Sequence, residues 1–81
     1  MATVVFSRGL QQYTEGTERL EVQPGTVRDV IAQVVARFPS LEDRLDASTA
    51  VSIDGEIINE PLLERVGPAS EVHFLPSISG G

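Results

Sequence analysis

The sequence predicts a small α+β protein in which one helix packs across a mixed sheet of four to five strands. Three observations lead to this: an apolar, strand-like run near the N-terminus, one amphipathic helix at residues 26–38, and a hairpin followed by a final strand in the second half. In chain order the predicted elements are β-β-α-β-β-β. With 81 residues, the chain has room for one domain and one modest core.

The first two predicted strands form an N-terminal hairpin. Thr3 to Ser7 are β-branched, aromatic or small, and their nearly continuous apolarity favours a central strand. Residues 8–9 break the run, and residues 10–16 are predicted to be a connecting loop. In residues 17–22, Leu20 and Val22 alternate with charged residues, as expected for a half-buried strand.

Thr26 begins the clearest helix in the sequence. Its hydroxyl can cap the first turn, and Asp29, three residues on, resembles the partner residue of a capping box. Pro39 ends the helix, and Leu41 and Leu45 then predict a short helical turn that closes the core. The apolar residues of the helix share one stripe: Val27, Val30, Ile31, Val34, Val35 and Phe38.

The second half is predicted to contain a hairpin, a helical turn and a last strand. Asp54-Gly55, between residues 50–53 and 56–58, is a strong signal for a two-residue hairpin turn. Residues 61–63 favour a helical turn, and residues 71–75 a final strand halted by a proline. If the first and last strands are neighbours in mid-sheet, the segment after residue 75 leaves from the sheet's centre.

Composition limits the classes of partner. The six basic residues are all arginine against twelve acidic ones, and the net charge is −6. An acidic chain without a basic stripe is a poor nucleic-acid binder, so a partner with a basic surface is favoured. Without cysteine, disulfides and Cys-based metal or redox sites are excluded. Without lysine, the chain offers no ε-amine for isopeptide linkage.

The N-terminus carries no signal-peptide pattern, and no apolar run approaches the length of a membrane span. A soluble cytoplasmic protein without membrane or nucleic-acid partners is therefore expected. His73 is the sole histidine, and alternation places it opposite Val72 and Phe74, so a solvent-facing strand residue is predicted and no metal site. The acidic run at residues 42–46 is interpreted as a solvated surface.

The sequence ends in two glycines, Gly80 and Gly81, after a strand and a proline. Glycine lacks a Cβ, so a glycine pair can pass through a channel too narrow for other residues. The useful chemistry of such an ending lies in its backbone and terminal carboxylate. The alternative is an ordinary frayed end. We expect residues 1–76 to form the domain and residues 77–81 a flexible tail.

The element order, with residues 72–76 followed by Ser-Gly-Gly at residues 79–81 and with residues 51–56, resembles the MoaD/ThiS family of ubiquitin-like β-grasp sulfur carriers. This family includes the small subunit of molybdopterin synthase and the thiamin sulfur carrier. The resemblance covers essentially the whole chain. It departs from the family pattern at residues 67–72, which make a longer and less acidic turn, and in the residues between Pro76 and the glycines.

The resemblance implies a carrier that is not itself an enzyme, although it could act as the small subunit of a sulfur-transferring synthase. An adenylating enzyme of the ubiquitin-activating type would convert the Gly81 carboxylate to an acyl-adenylate, and a sulfur donor would replace AMP to leave a thiocarboxylate. Gly80, which has no side chain, would let the Gly81 carboxylate pass through a narrow channel to the partner enzyme's active site. No cofactor would be bound, since the partner consumes the ATP. A sulfur-accepting synthase or large subunit would be the second partner.

Four residues are candidates for an apolar docking patch: Phe6, Phe74, Leu75 and Ile78. Phe6 and Phe74 have the alternative of facing the core beneath the helix. Ile78 lies in the predicted tail, where exposed apolar groups often mark interfaces.

Three functions stay open on the sequence alone. The first is the sulfur carrier, whose acceptor could be molybdopterin, a thiazole, cysteine or a secondary metabolite, with length and ending favouring the molybdopterin type. The second is a ubiquitin-like modifier conjugated through Gly81 to lysines of target proteins. The third is an interaction domain in which the glycine pair has no role.

Overall fold

A five-stranded mixed sheet with one long helix across it forms the fold. The computed structural model describes residues 1–45 and 49–75. Its elements in chain order are β1 (Ala2–Val5), α1 (Arg8–Gln11), β2 (Arg19–Val22), β3 (Gly25–Thr26), α2 (Val27–Arg37), a 3₁₀ helix (Pro39–Leu41), β4 (Ala50–Ile53), β5 (Glu56–Ile58), β6 (Arg65–Val66) and β7 (Glu71–Leu75).

The sheet has the order β2-β1-β7-β4-β5. β1 and β7 are parallel, with Val4 beside Val72, and β7 is antiparallel to β4, with Phe74 beside Val51. Antiparallel hairpins add β2 and β5 at the two edges. The predicted central position of the first strand is therefore confirmed, and the last strand is its neighbour and ends in the middle of the sheet.

The core lies between the sheet and α2. Val27, Val30 and Val34 on the predicted stripe are fully buried, while Ile31 and Val35 lie at its half-buried margin. At the C-terminal end of α2, the rings of Phe38 and Phe6 meet edge to face with centroids 5.8 Å apart. The core residues are Ala2, Val4, Phe6, Leu10, Val22, Val27, Val30, Val34, Phe38, Leu41, Leu45, Val51, Val66, Val72 and Phe74.

The start of α2 is held by the predicted capping box. The Thr26 hydroxyl accepts from the Asp29 backbone N–H at 3.2 Å, and the Asp29 carboxylate accepts from the Thr26 N–H at 3.0 Å. The Thr26 N–H, and next the Thr26 hydroxyl, which also donates to the Asp29 carboxylate at 3.0 Å, hold the pKa of Asp29 below its ordinary value. A Cβ at the preceding Gly25 would lie 2.8 Å from Asp29 Oδ2, so only glycine leaves room for this arrangement.

Thr26→Ala is expected to lower the free energy of unfolding by about 1 kcal/mol, because it leaves an N-terminal N–H of the helix without its acceptor. Urea denaturation followed by circular dichroism measures the change. Thr26→Ser is the matched control, since it keeps the accepting oxygen and should lose less than half as much. Equal losses in the two variants would contradict a capping role for the hydroxyl.

The structure corrects one local prediction, shortens another and adds an element that the sequence does not indicate. Residues 8–11, predicted as a break followed by a loop, form the single helical turn α1, in which Leu10 enters the core and the Ser7 carbonyl accepts from two N–H groups. The turn predicted at residues 61–63 is present as a single hydrogen-bonded turn, closed by the Glu64 N–H donating to the Pro61 carbonyl at 2.8 Å, and does not extend into a helix. The two-residue ribbon β3–β6 was not predicted at all. Such short segments carry no hydrophobic period.

The hairpin predicted at Asp54-Gly55 is confirmed. Both residues have positive φ, 51° and 90°, as a two-residue turn between twisted strands requires. The Asp54 carboxylate also accepts from the Glu71 backbone N–H at 2.9 Å, which fixes the turn beside the start of β7. The hairpin thus helps to position the central strand.

Candidate functional site at the end of the central strand

The candidate site begins where β7 ends, at Leu75. Leu75 pairs with Ala50 at the start of β4. The parallel strand β1 has its C-terminal residue at the same end of the sheet. Three central strands therefore fix the point from which the chain continues. The predicted site residues Ile78, Gly80 and Gly81 lie outside the residues that the structure describes, as does the tail predicted at 77–81.

Phe6 and Phe74 do not belong to a surface patch. Phe6 is 2% exposed and Phe74 is 1% exposed, because both face α2 and pack within the core. Burial of a large aromatic side chain removes much apolar surface from water, which stabilises the core. We therefore remove both from the predicted docking patch. Leu75, the next residue on β7, points the other way and is only partly buried.

The face of the sheet opposite α2, which we term the open face, carries the surface residues nearest to Leu75. Val5, Ala50 and Leu75 provide its apolar part beside the end of β7, and Ile57 on the edge strand β5 is 65% exposed. Strand alternation places these four on one face. The sequence prediction missed Val5, Ala50 and Ile57, although period two along each strand was the signal that relates them to Leu75.

The remaining part of the open face is polar and contains a small charged cluster. His73 Nε2 lies 2.9 Å from Glu71 Oε1, and Arg19 Nη1 lies 3.5 Å from Glu71 Oε2. The hydrogen bond with His73 holds the pKa of Glu71 below its ordinary value, and the Arg19 charge acts in the same direction. All three side chains keep contact with solvent, and His73 faces away from Val72 and Phe74 as predicted.

Residues 1–45 and 49–75 contain neither a metal-binding cluster nor a membrane-spanning helix. Within those ranges no three His, Cys, Asp or Glu side chains come close enough together to hold a metal ion. None of the helices there is long and apolar enough to cross a membrane.

The helix-covered mixed sheet, with parallel first and last strands at its centre and Gly-Gly at the end of the sequence, defines a ubiquitin-like β-grasp protein. The ThiS family model matches residues 4–81, which is nearly the entire chain. The chain therefore belongs to the ThiS family, a family of small carrier proteins.

Solved structures share the fold over the full chain. A chain of the Amycolatopsis orientalis BexX/CysO complex has a TM-score of 0.81 at 24% identity, covering 100% of both chains. Small archaeal modifier protein 1 from Methanosarcina acetivorans has a TM-score of 0.80 at 25% identity, covering 99% of this chain and 95% of the other. A Pyrococcus furiosus protein described as molybdopterin converting factor subunit 1 has 0.72 at 17% identity, covering 95% and 97%. No curated protein sequence matches the chain.

Proposed function

We propose that this protein is a sulfur carrier whose Gly81 carboxylate is adenylated and converted to a thiocarboxylate. The observation that carries the proposal is the match to the ThiS family through residue 81, on a fold whose last strand ends at Leu75 in the middle of the sheet, with Gly80 and Gly81 following in the sequence. The domain acts as a rigid handle, and the carrier supplies a reacting group without catalysing a reaction alone.

The proposed chemistry needs only the carboxylate of this chain. An oxygen of the Gly81 carboxylate attacks the α-phosphorus of ATP on the partner enzyme and pyrophosphate leaves, so that a poor electrophile acquires a good leaving group. A sulfur nucleophile then adds to the acyl carbon, the bond to AMP breaks, and a thiocarboxylate is formed. Its sulfur is a nucleophile held by a protein, so reactive sulfide is never free in solution.

Docking of the partner enzymes is assigned to the apolar part of the open face. Leu75 is the last described residue of β7, Ala50 pairs with it, and Val5 lies beside His73 on the same strand, so a partner that covers these residues also receives the residues that follow. Ile57 extends the surface, and Ile78 stays a candidate from the sequence. The net charge of −6 favours partners with a basic rim around an apolar centre.

The sulfur acceptor is proposed to be of the molybdopterin type, as the length and ending of the sequence favour. The complex with BexX belongs to the Amycolatopsis protein, and its 24% identity supports the shared fold and not a shared acceptor. The same limit holds for the Pyrococcus protein at 17% identity.

A second function, protein modification through Gly81, is favoured by one observation. Small archaeal modifier protein 1 is 25% identical over nearly the full chain, and its name states a modifier role for that protein. Both functions begin with the same activated carboxylate. They differ in the nucleophile, which is sulfur for the carrier and a lysine amine of a target for the modifier.

Product analysis distinguishes the two functions. The untagged protein is incubated with its adenylating enzyme and ATP, with sulfide in one reaction and lysine-containing cell proteins in the other. The carrier function predicts a thiocarboxylate at Gly81 in the first reaction and no isopeptide-linked glycine remnants in the second. Remnants that depend on ATP and Gly81 would favour the modifier. If the variant lacking residues 80–81 supports the pathway as well as the intact chain does, the ending has no role.

A further inference from the structure

β2 is an edge strand whose outer side carries unpaired backbone groups. The Phe6 N–H donates to the Glu18 carbonyl at 2.8 Å, so the alternation of an antiparallel pair directs the backbone groups of residues 18, 20 and 22 toward β1. The groups of Arg19, Glu21 and Gln23 consequently point away from the sheet. Such a row of donors and acceptors is a template for another strand.

Helix α2 closes one end of this row. The Gln33 side chain accepts from the Gln23 N–H at 2.7 Å and donates to the Gln23 carbonyl at 3.1 Å. One side-chain amide thus occupies both backbone groups of Gln23, as an adjacent strand would. Among the described residues, no partner satisfies the outward backbone groups of Arg19 and Glu21. The open part of the edge is therefore a short segment centred on Leu20.

The charges of this segment are self-complementary. Arg19 and Glu21 are both exposed, lie two positions apart and project on the open face. An antiparallel strand of the same sequence centred on Leu20 places Arg19 opposite Glu21, and Glu21 opposite Arg19. Directly opposed unlike charges stabilise a strand pair, whereas like charges on edge strands oppose pairing.

We propose that β2 pairs antiparallel with β2 of a second copy of this chain about a two-fold axis at Leu20. The pairing makes one continuous sheet through both copies, with backbone hydrogen bonds between Arg19 of each copy and Glu21 of the other. Arg19 also contacts Glu71 of its own chain, and its guanidinium has enough donors for two carboxylates. Few residues are buried, so the dimer is weak and reversible.

This association leaves the proposed carrier site free and does not rest on it. β7 is separated from β2 by β1, and a two-fold axis perpendicular to the sheet directs the C-terminal ends of the two β7 strands toward opposite ends of the joined sheet. Both open faces lie on the same side. The apolar residues beside Leu75 stay accessible in each copy.

Sedimentation velocity of the intact 81-residue protein tests the pairing over roughly 10 µM to 1 mM, the range for such a small interface. We expect the weight-average mass to rise toward a dimer. Arg19→Glu and Glu21→Arg should each weaken dimerisation at least about tenfold by opposing like charges. The double swap Arg19→Glu/Glu21→Arg restores opposite charges between copies, and its dimerisation should return to within about threefold of wild type.

The double swap separates pairing between copies from the contact within one chain. It restores opposite charges between the copies but leaves a carboxylate at residue 19 facing Glu71 of the same chain. Recovered dimerisation therefore reports the pairing between copies. Circular dichroism checks that each variant is folded. Concentration-dependent slowing of amide hydrogen exchange at Arg19 and Glu21, and not at Gln23, locates the interface on the proposed backbone groups. A wild-type protein that stays monomeric up to about 1 mM, or a double swap no better than the single variants, would overturn the proposal.

Discussion

Phe74→Ala is expected to lower the free energy of unfolding by about 3–5 kcal/mol, the usual cost of deleting a buried aromatic ring. Phe74 is 1% exposed and lies on the central strand, where it pairs with Val51. Small domains have only about 5–15 kcal/mol of stability in total, so this one change removes much of it. Urea denaturation followed by circular dichroism measures the loss.

Leu75→Ala is the matched control, since it truncates the adjacent residue of the same strand on the open face. Its cost should be below about 1.5 kcal/mol, because a half-buried surface side chain leaves no closed cavity. The proposed docking role predicts that Leu75→Ala instead slows activation by the adenylating enzyme. Similar stability losses in the two variants would show that the open face is buried in the folded protein.

Gly80→Val is expected to slow adenylation of the carrier by about 100-fold, because a branched side chain next to Gly81 displaces the carboxylate in a channel shaped for glycine. The Gly81 carboxylate itself is unchanged, so the lower adenylation rate reports only how well that carboxylate reaches the active site of the enzyme. ATP–pyrophosphate exchange with the adenylating enzyme measures the rate.

Ser79→Ala is the control for this change, since it alters the residue before the glycine pair without adding a side-chain atom. It should be adenylated within about threefold of wild type, as expected for a small change away from the reacting group. The Gly80→Val variant should also keep the wild-type unfolding midpoint. Normal adenylation of Gly80→Val would remove the argument for a narrow channel.

The long elements of this fold could be predicted from sequence because their hydrophobic pattern repeats over enough residues to be distinguished from a chance arrangement. The stripe from Val27 to Phe38 and the capping residue Thr26 located α2, and Asp54-Gly55 located the hairpin. The short elements could not be predicted: α1 consists of one turn, and β3 and β6 have two residues each. Contacts distant in sequence create them, such as the Val27 N–H donating to the Glu64 carbonyl at 2.9 Å.

The candidate site was only partly predictable for a related reason. Alternation separates Phe74 from Leu75 but does not say which face a helix covers, so the sequence leaves Phe6 and Phe74 open between a docking patch and the core, and the structure places both in the core. The open-face residues Val5 and Ala50 come from strands far apart in sequence and meet only through the order of the sheet. The roles of Gly80 and Gly81 stay predictions, since both residues lie outside the part of the chain that the structure describes.

The most direct test of the carrier function is the intact mass of the untagged protein after incubation with ATP, its adenylating enzyme and sulfide. We predict a gain equal to one oxygen-for-sulfur exchange, located at Gly81 by fragmentation and abolished when Gly81 is deleted. An unchanged mass, with an enzyme that is active on another carrier under the same conditions, would contradict the proposed function.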